Sequence, residues 1–273
     1  MIQTVQSPQH DTLWLPAASL CRRELVRFVR QRNRIIGALA TPLVFWLLIG
    51  AGMGRSFQAS NLPDGNHYLR YFFPGTILMI LLFTAIFSTI SIIEDRREGF
   101  LQGVLVAPVS KMAIVLGKVM GGTILAFGQG LIFLLLAPTV GIKLSLASLA
   151  LTMLLMLIIA FGLTALGVCL AWRMSSTQGF HAIMNLFLMP MWFLSGALFP
   201  IDGAWIGLKW VMYLNPLTYG LAGLRRAMYL GHSGVEVAGI GLALSLVISV
   251  IFAAAMFVLA TVIVGGRVKE DML

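Results

Sequence analysis

The feature that most limits how this chain can fold is a series of six long apolar stretches. They occupy residues 35–53, 72–93, 112–138, 144–172, 179–199 and 239–264. Each is close to, or longer than, the roughly 20 apolar residues that a helix needs to cross a bilayer. Only 11% of the residues are charged, against roughly 25% in soluble proteins. The sequence therefore predicts an all-α integral membrane fold, with residues 35–273 as one domain of six transmembrane helices.

The positions of lysine and arginine predict how this domain is oriented. If the N-terminus lies inside, thirteen of the 19 Lys and Arg residues fall on the inner side and six on the outer side. Inner segments of membrane proteins carry an excess of positive charge, so both termini are expected in the cytoplasm. The net charge of +9 then indicates contact with anionic membrane lipids and not with nucleic acid. We expect a multi-pass protein of a bacterial inner membrane.

A basic amphipathic segment precedes the first predicted span, and residues 1–34 are expected to form a cytoplasmic tail and an interfacial helix. Leu20 and Phe28 fall near one helical face, whereas Arg27 and Arg30 belong to a set of arginines that occupies much of the rest. This pattern is typical of helices that lie in the membrane interface with the apolar side down. The plainer alternative is a charged signal that only fixes topology. The stronger interpretation adds contact with a cytoplasmic partner.

The most unusual stretch joins the second and third spans at residues 94–110, which we call the elbow. An apolar run ends here in five consecutive charged residues, Glu94, Asp95, Arg96, Arg97 and Glu98. A short amphipathic segment and a proline follow before the next apolar run. One interpretation is a topology marker alone. Because the elbow lies on the predicted cytoplasmic side, the other interpretation is that a separate motor protein acts on it.

A second informative stretch follows the fifth span, at residues 201–233. Two apolar segments, each too short to cross a bilayer, are separated there by Asn215-Pro216. Apolar segments of about 10–14 residues between spans are typical of re-entrant or interfacial helices. The sequence therefore predicts re-entrant outer helices, and the alternative is an external cap that lies on the bilayer.

The sequence lacks the motifs of several other functions. It contains no phosphate-binding loop, catalytic triad or cluster of metal-ligating residues, so we expect no enzyme activity, metal or cofactor in this chain. We expect no ionisable residue deep within a span, which argues against an ion-coupled transporter or channel. That class remains the alternative function, and a non-transporting scaffold is a third. Energy for transport would have to come from a partner.

Three motifs resemble those of a known transporter family. They are Phe73-Pro74-Gly75 at the start of the second span, the run from Glu94 to Gly117-Lys118, and a third stretch. The third runs from Pro190 through Leu194-Ser195-Gly196-Ala197-Leu198-Phe199-Pro200 to Asn215-Pro216-Leu217-Thr218-Tyr219 and Arg225. In order and spacing they resemble the membrane subunit of a type-2 ABC exporter, a class that moves drugs, polysaccharides and lipo-oligosaccharides. The resemblance implies that two permease subunits pair; we expect a homodimer, and the alternative is a heterodimer with a sibling chain. The resemblance also implies two copies of a separate ABC ATPase that bind ATP and Mg.

The resemblance further implies roles for individual stretches. The elbow would be the coupling helix that contacts the ATPase, the N-terminal helix would contact the same subunit, and the first, second and fifth spans would line the path. The expected coupling residues are Glu94, Asp95, Arg96, Arg97, Glu98, Gly99, Leu105 and Pro108, with Arg27 and Arg30. The candidates for the path are Phe45, Trp46, Phe83, Phe87, Asn185, Met189 and Trp192. These aromatic and largely uncharged side chains suit an amphiphilic or lipid-linked cargo.

Overall fold

The computed structural model describes residues 13–53, 67–106, 109–230 and 239–270. Within these ranges the chain is helical and contains no strand, as the sequence predicts. In chain order the α-helices are α1 (Trp14–Arg30), α2 (Arg32–Met53), α3 (His67–Ser88), α4 (Ile90–Arg97), α5 (Phe100–Val106), α6 (Lys111–Leu134), α7 (Leu146–Trp172), α8 (Thr177–Ile183), α9 (Met189–Trp192), α10 (Ile206–Leu214), α11 (Pro216–Met228) and α12 (Leu242–Glu270). The π-helical turn Met184–Leu188 joins α8 to α9, and a second, Phe193–Ala197, follows α9, so that Thr177–Ala197 is one continuous stretch.

Five helical stretches are long and apolar enough to cross a membrane. They are Tyr68–Arg97, Lys111–Leu134, Leu146–Trp172, Thr177–Ala197 and Leu242–Gly266. By length and composition these match the second to sixth predicted spans, and Thr177–Ala197 is called the fifth span below. The first predicted span lies in α2, in which the described apolar part is Leu39–Gly50. The count of six spans therefore stays a prediction.

The helix α3 lies at the centre of the bundle. In the most apolar part of Tyr68–Arg97, 89% of the residues are buried, compared with 22% in α12. α3 packs against α2, α6 and α7, whereas α12 packs mainly on α7 and α11. A helix that is apolar on all sides and open on most of them is suited to contact with lipid tails. The elbow thus continues the most buried helix of the protein.

Glycines set the distances between the helices of this bundle. A methyl group added at Gly167 of α7 would lie 2.8 Å from Oγ1 of Thr89, and one added at Gly75 of α3 would lie 2.9 Å from Cβ of Ala197. Gly122 of α6 likewise has side chains of α3 and α7 in close contact. Helices in lipid associate through such contacts, because no hydrophobic effect drives them together. The glycines of α6 therefore serve close packing between helices.

The predicted outer segment forms α10 and α11, separated at Asn215-Pro216 as expected. The Asn215 side chain caps α11 by accepting a hydrogen bond from the Leu217 N–H at 3.0 Å, and its Nδ2 donates to the Met191 carbonyl at 2.5 Å. α11 packs against α7 and α12. By contrast, α10 exposes 68% of Trp210. The depth of these helices in the bilayer, and so their re-entrant character, stays a prediction.

Contacts with α3 and α11 hold the end of the fifth span near Gly196. Gly196 has a φ of +88°, which ends the helix. Its carbonyl accepts hydrogen bonds from the Tyr71 hydroxyl at 2.9 Å and from Nη2 of Arg225 at 2.7 Å. The Arg225 guanidinium also lies 4.0 Å from the centre of the Tyr71 ring. These contacts join α3, the fifth span and α11 at the end of the bundle opposite the elbow.

Candidate functional site

The elbow is a helix–turn–helix at the end of the central helix. α3 leads into α4, which ends at Arg97. Gly99 then has a φ of +76°, a left-handed conformation that glycine adopts without strain, and α5 begins at Phe100. The predicted elbow is therefore a compact turn. Pro108, one of its expected residues, lies outside the described residues, as does the side chain of Leu105.

Asp95 is the centre of an ion cluster that we define as Arg23, Glu24, Arg27, Asp95 and Lys118. Its side chain is 0% exposed. Arg23 donates to its two oxygens at 2.9 and 2.7 Å, Arg27 donates at 2.6 Å, and Lys118 donates at 2.5 Å. A buried carboxylate needs such partners to compensate for its lost hydration. The hydrogen bond to Asp95 in turn raises the pKa of Arg23 above its ordinary value.

Arg23, Glu24 and Lys118 were not among the expected coupling residues, and Lys118 is the one that lies inside a predicted span. It is 5% exposed in α6, and its Nζ donates to Glu24 at 2.6 Å and to Ser91 at 3.3 Å as well as to Asp95. Lys118 lies near the start of the span Lys111–Leu134, and the absence of ionisable residues deep within a span stays a prediction. The charge is tolerated there because two carboxylates compensate it. Its signal in the sequence was a lone lysine inside an apolar run, directly after Gly117.

A second set of ion pairs lies nearer the surface. Arg27 contacts Glu94 at 2.9 Å and Glu98 at 3.5 Å, and the Glu98 side chain is 61% exposed. An exposed pair contributes about 0–1 kcal/mol, whereas removing one partner of a buried pair costs about 3–5 kcal/mol. The buried pairs of Asp95 therefore dominate the attachment of α1 to the elbow. Arg30, the other expected cation of α1, lies exposed at the end of the helix.

Two glycines of α6 let α1 approach closely enough for these ion pairs. A methyl group at Gly117 would lie 2.8 Å from Cβ of Leu20, and one at Gly121 would lie 2.8 Å from Cβ of Glu24. The buried face of α1 consists of Ala17, Leu20, Glu24 and Phe28. The amphipathic helix is thus confirmed, with one face on the protein. Its position in the membrane interface stays a prediction.

On its other side the elbow contacts the inner loop, residues 173–176, which joins α7 to α8. Arg96 donates to the carbonyl oxygens of Trp172 at 2.7 Å and Met174 at 3.1 Å. Arg97 donates twice to the Ser175 carbonyl, at 3.2 and 2.9 Å. These two arginines, which we call the arginine pair, were expected at the ATPase. The structure places their described hydrogen bonds within the chain.

The tip of the elbow is open to a partner. Glu98 and Gly99 are exposed, and Phe100 is 37% exposed. The Arg23 guanidinium lies 3.6 Å from the centre of the Phe100 ring, so the tip is also attached to α1. Of the expected coupling residues, the structure brings Glu94, Asp95, Glu98 and Arg27 together.

Residues 17–229 match the ABC-2 type transporter family. The match begins in α1 and ends just after α11, so it includes the elbow, the ion cluster and the arginine pair. The chain belongs to the ABC-2 type transporter family. It is therefore a multi-pass membrane subunit that serves transport by an ABC exporter, as its motifs predicted.

Several relatives of this ABC-2 permease carry transport names. It is 29% identical to the putative transport permease ycf38 of Cyanophora paradoxa, over 76% of this chain and 71% of that protein. It is 25% identical to the probable multidrug ABC transporter permease YbhR of Escherichia coli strain K12, over 67% of this chain and 49% of that protein. It is 27% identical to nodulation protein J of Rhizobium leguminosarum bv. viciae, over 71% and 74% respectively.

Two candidates for the transport path lie in the interior of this ABC-2 permease. Trp192 is 0% exposed, and its indole N–H donates to the Gly75 carbonyl at 2.9 Å. Trp46 is 6% exposed, and its ring packs edge-on against Phe73 with 5.8 Å between centroids. Both rings therefore contribute to packing between helices of one chain in this conformation.

The other candidates lie nearer the surface. Phe83 and Phe87 stack in α3 with 5.7 Å between ring centroids, and Phe87 lies 5.6 Å from the ring of His181 in the fifth span. Asn185 is exposed, and Met189 and Phe45 are half-buried. The contact with His181 places Phe87 of α3 beside the fifth span. Contact of the candidates with cargo stays a prediction.

Proposed function

We propose that this chain is the permease subunit of an ATP-driven exporter, moved by a separate ABC ATPase that acts on the elbow. Membership of the ABC-2 family supports an ABC ATPase as the partner. Two permease chains would pair as a homodimer and bind two ATPase subunits, which carry ATP and Mg. Both termini would lie in the cytoplasm at a bacterial inner membrane, with α2 as the first of six spans.

The observation that carries this proposal is the attachment of the elbow on two sides. The ion cluster holds α4 on one side through Asp95, and the arginine pair holds it on the other side. The tip of the elbow, around Glu98 and Phe100, is open, and α5 beyond the tip also exposes Gln102, Gly103 and Val106. A partner that pushes on the tip would therefore displace α4 as a rigid body instead of bending a loose loop.

The helices that are attached to the elbow determine which part of the permease would move with it. α4 continues the central helix α3, and the ion cluster adds α1 and α6 to the same unit. Closure of the ATPase pair on ATP would shift this unit relative to the rest of the bundle and open a path beside α3. No side chain within the path needs to change its protonation state in this mechanism, because the free energy enters at the elbow.

The surface between α3 and the fifth span supports an amphiphilic or lipid-linked cargo. Phe83 and Phe87 form a half-buried aromatic row there, and Asn185 adds an exposed uncharged polar group. The name of the multidrug permease among the relatives agrees with a cargo of this kind. A cargo with an apolar part would bind the aromatic row and expose its polar part to the path.

Reconstitution with the partner ATPase tests the proposal. The purified chain alone is expected to hydrolyse no ATP and to retain the ATPase on an affinity resin. Changing Glu98→Lys together with Phe100→Glu is expected to weaken this capture about tenfold, which corresponds to about 1.4 kcal/mol. Asp202→Lys, an exposed carboxylate at the opposite end, is the matched control and should leave capture unchanged.

Flux measurements separate the alternatives. If collapse of the ion gradient with ATP intact stopped export, the chain would be a secondary transporter or channel. If no cargo changed the hydrolysis rate of the captured ATPase, a scaffold role would be the better description. Unchanged capture and export by the Glu98 and Phe100 double variant would contradict the role of the elbow tip.

A further inference from the structure

We infer that the arginine pair acts inside the permease, where Arg96 and Arg97 are positioning residues that connect the elbow to the fifth span. This inference rests on the proposed function, because it assigns the route by which movement of the elbow reaches a second helix. It differs from the expectation that these arginines contact the ATPase. The ion cluster lies on the opposite side of the elbow, where it binds α4 to α1 and α6.

The geometry assigns each arginine a set of carbonyl oxygens near the end of α7. Arg96 reaches two of them through separate nitrogens, Nη2 to Trp172 and Nη1 to Met174. Arg97 reaches Ser175 through Nε and Nη2. The Arg96 guanidinium carbon also lies 5.5 Å from the centre of the Trp172 ring. The four hydrogen bonds thus link the last turn of α4 to three residues, Trp172 at the end of α7 and Met174 and Ser175 of the inner loop.

Arginine is chemically suited to this contact. The last carbonyl groups of a helix have no partner within the helix and carry the negative end of its dipole. A guanidinium presents its N–H donors in a fixed planar fork, so it resists rotation against two acceptors at once. The contact therefore transmits displacement in a defined direction, which a single lysine ammonium would do less well.

The inner loop passes that displacement directly to the fifth span. Ser175 is followed by Ser176, whose hydroxyl caps α8 by accepting from the Gly179 N–H at 3.3 Å. No flexible linker separates the arginine pair from the start of the fifth span in this part of the chain. A displacement of α4 is therefore passed to α8 through the few residues of the inner loop.

The fifth span is built to respond to such a shift. In its most apolar part 39% of the residues are buried, compared with 61% in α6 and in α7. It also contains two π-helical turns, Met184–Leu188 and Phe193–Ala197, a geometry that is less favourable than the α-helix and is found often at functional positions. Its outer end is held at Gly196. Displacement at the inner end is therefore absorbed between the two ends.

A fluorescent label on the fifth span tests this route in the reconstituted permease–ATPase complex. Phe187, which is 63% exposed, is changed to Cys for labelling in a Cys21→Ser background, and the other native thiol, Cys169, is buried. The test variants are Arg96→Gln, Arg97→Gln and Arg96→Lys. The matched control is Lys111→Gln, which removes a cation–carbonyl bond at the same end, to Gly265 of α12 at 3.1 Å.

We expect every variant to retain the ATPase on the resin and to hydrolyse ATP. In Arg96→Gln and Arg97→Gln the change in label fluorescence on ATP binding should fall about fivefold or more. A factor of about five is the lower end of the coupling that allosteric proteins show between two sites. Arg96→Lys should restore part of the fluorescence change, because one carbonyl contact is regained, and Lys111→Gln should leave it unchanged. Arg97 is exposed, so its variant keeps the test valid if an Arg96 variant fails to fold.

Two results would overturn the inference. A full label response in Arg97→Gln and Arg96→Gln would show that the fifth span is moved by another route. Loss of ATPase capture in these variants would show that the arginines contact the ATPase itself. Absence of capture by the unmodified chain would instead contradict the proposed function, so the two failures are distinguishable.

Discussion

Lys118 of α6 and Asp95 of the elbow form a buried ion pair, with 2.5 Å between Nζ and Oδ2 and side chains that are 4% and 0% exposed. Glu24 of α1 contacts the same ammonium group at 2.6 Å. Three separate segments of the chain are thereby joined through one lysine. The arrangement predicts that Lys118 matters more for stability than its place in an apolar run suggests.

Replacing Lys118 by methionine is expected to lower the free energy of unfolding by about 3–5 kcal/mol, because two buried carboxylates lose a partner. Thermal unfolding of the detergent-solubilised protein measures the effect. Lys143→Met, at an exposed position, is the control and should change stability by about 0.5 kcal/mol or less. Equal unfolding temperatures for the two variants would contradict the ion cluster as described.

Replacing Gly117 or Gly121 by leucine is expected to separate α1 from α6. The added side chain would collide with Leu20 or Glu24, both within 2.8 Å of the first added carbon atom. Gly128→Leu is the matched control in the same helix, since nothing in the described chain lies within 4 Å of a methyl group at that position. Protease cleavage within α1 measures how far this helix separates from α6. The cleavage rate should rise in Gly117→Leu and Gly121→Leu and stay unchanged in Gly128→Leu.

The pH dependence of Cys21 alkylation measures the same packing of α1 against α6. Burial raises the pKa of Cys21 above its ordinary value, and Glu24 adds to the shift. The thiolate fraction at a given pH is therefore smaller in the docked helix, and alkylation of Cys21 should be slower than for a free thiol. In Gly121→Leu the pKa should fall, so the rate-against-pH curve moves to lower pH. An unchanged curve would mean that α1 stays docked.

Three buried hydroxyl groups on α7 and α12 predict a gain in stability. Thr152, Ser245 and Ser249 have no hydrogen-bond partner within the described part of the structure. An unpaired buried polar group costs about 1–3 kcal/mol, so Thr152→Val, Ser245→Ala and Ser249→Ala are each expected to raise the free energy of unfolding by about 1 kcal/mol.

The control for these variants is Thr164→Val, because the Thr164 hydroxyl donates to the Ala160 carbonyl at 2.7 Å. It should show no such gain when unfolding is followed by the same thermal measurement. A loss of stability in Ser245→Ala or Ser249→Ala would indicate that internal water bonds these hydroxyls.

Much of the fold was predictable because it depends on local properties of the sequence. Apolar length located five of the spans, and the Asn215-Pro216 break located the boundary between α10 and α11. Gly117 and Gly121 of α6 are four residues apart, a spacing that permits close helix contact, but only the structure identifies α1 as the partner. The arginines at the start of α2 lie outside the predicted first span, 35–53, yet belong to the same helix.

The candidate site was predictable in position but not in its internal contacts. The run of charges from Glu94 to Glu98 located the elbow, and the basic helix beside it was expected to be near. The sequence does not show which charges face inward, because helical period alone does not tell which side of α4 meets another helix. Asp95 proved to be buried, and Arg96 and Arg97 proved to bind the inner loop.

By itself the sequence determined that this protein is a helical membrane subunit with its charges gathered at an elbow, since bilayer insertion depends on the length and polarity of contiguous stretches. Only the tertiary structure decided the partners of those charges. Arg23 and Asp95 are 72 residues apart, and Glu24 and Lys118 are 94 residues apart. Such pairs exist because helix packing brings distant segments together, and the cost of burying a charge then selects the partner that compensates it.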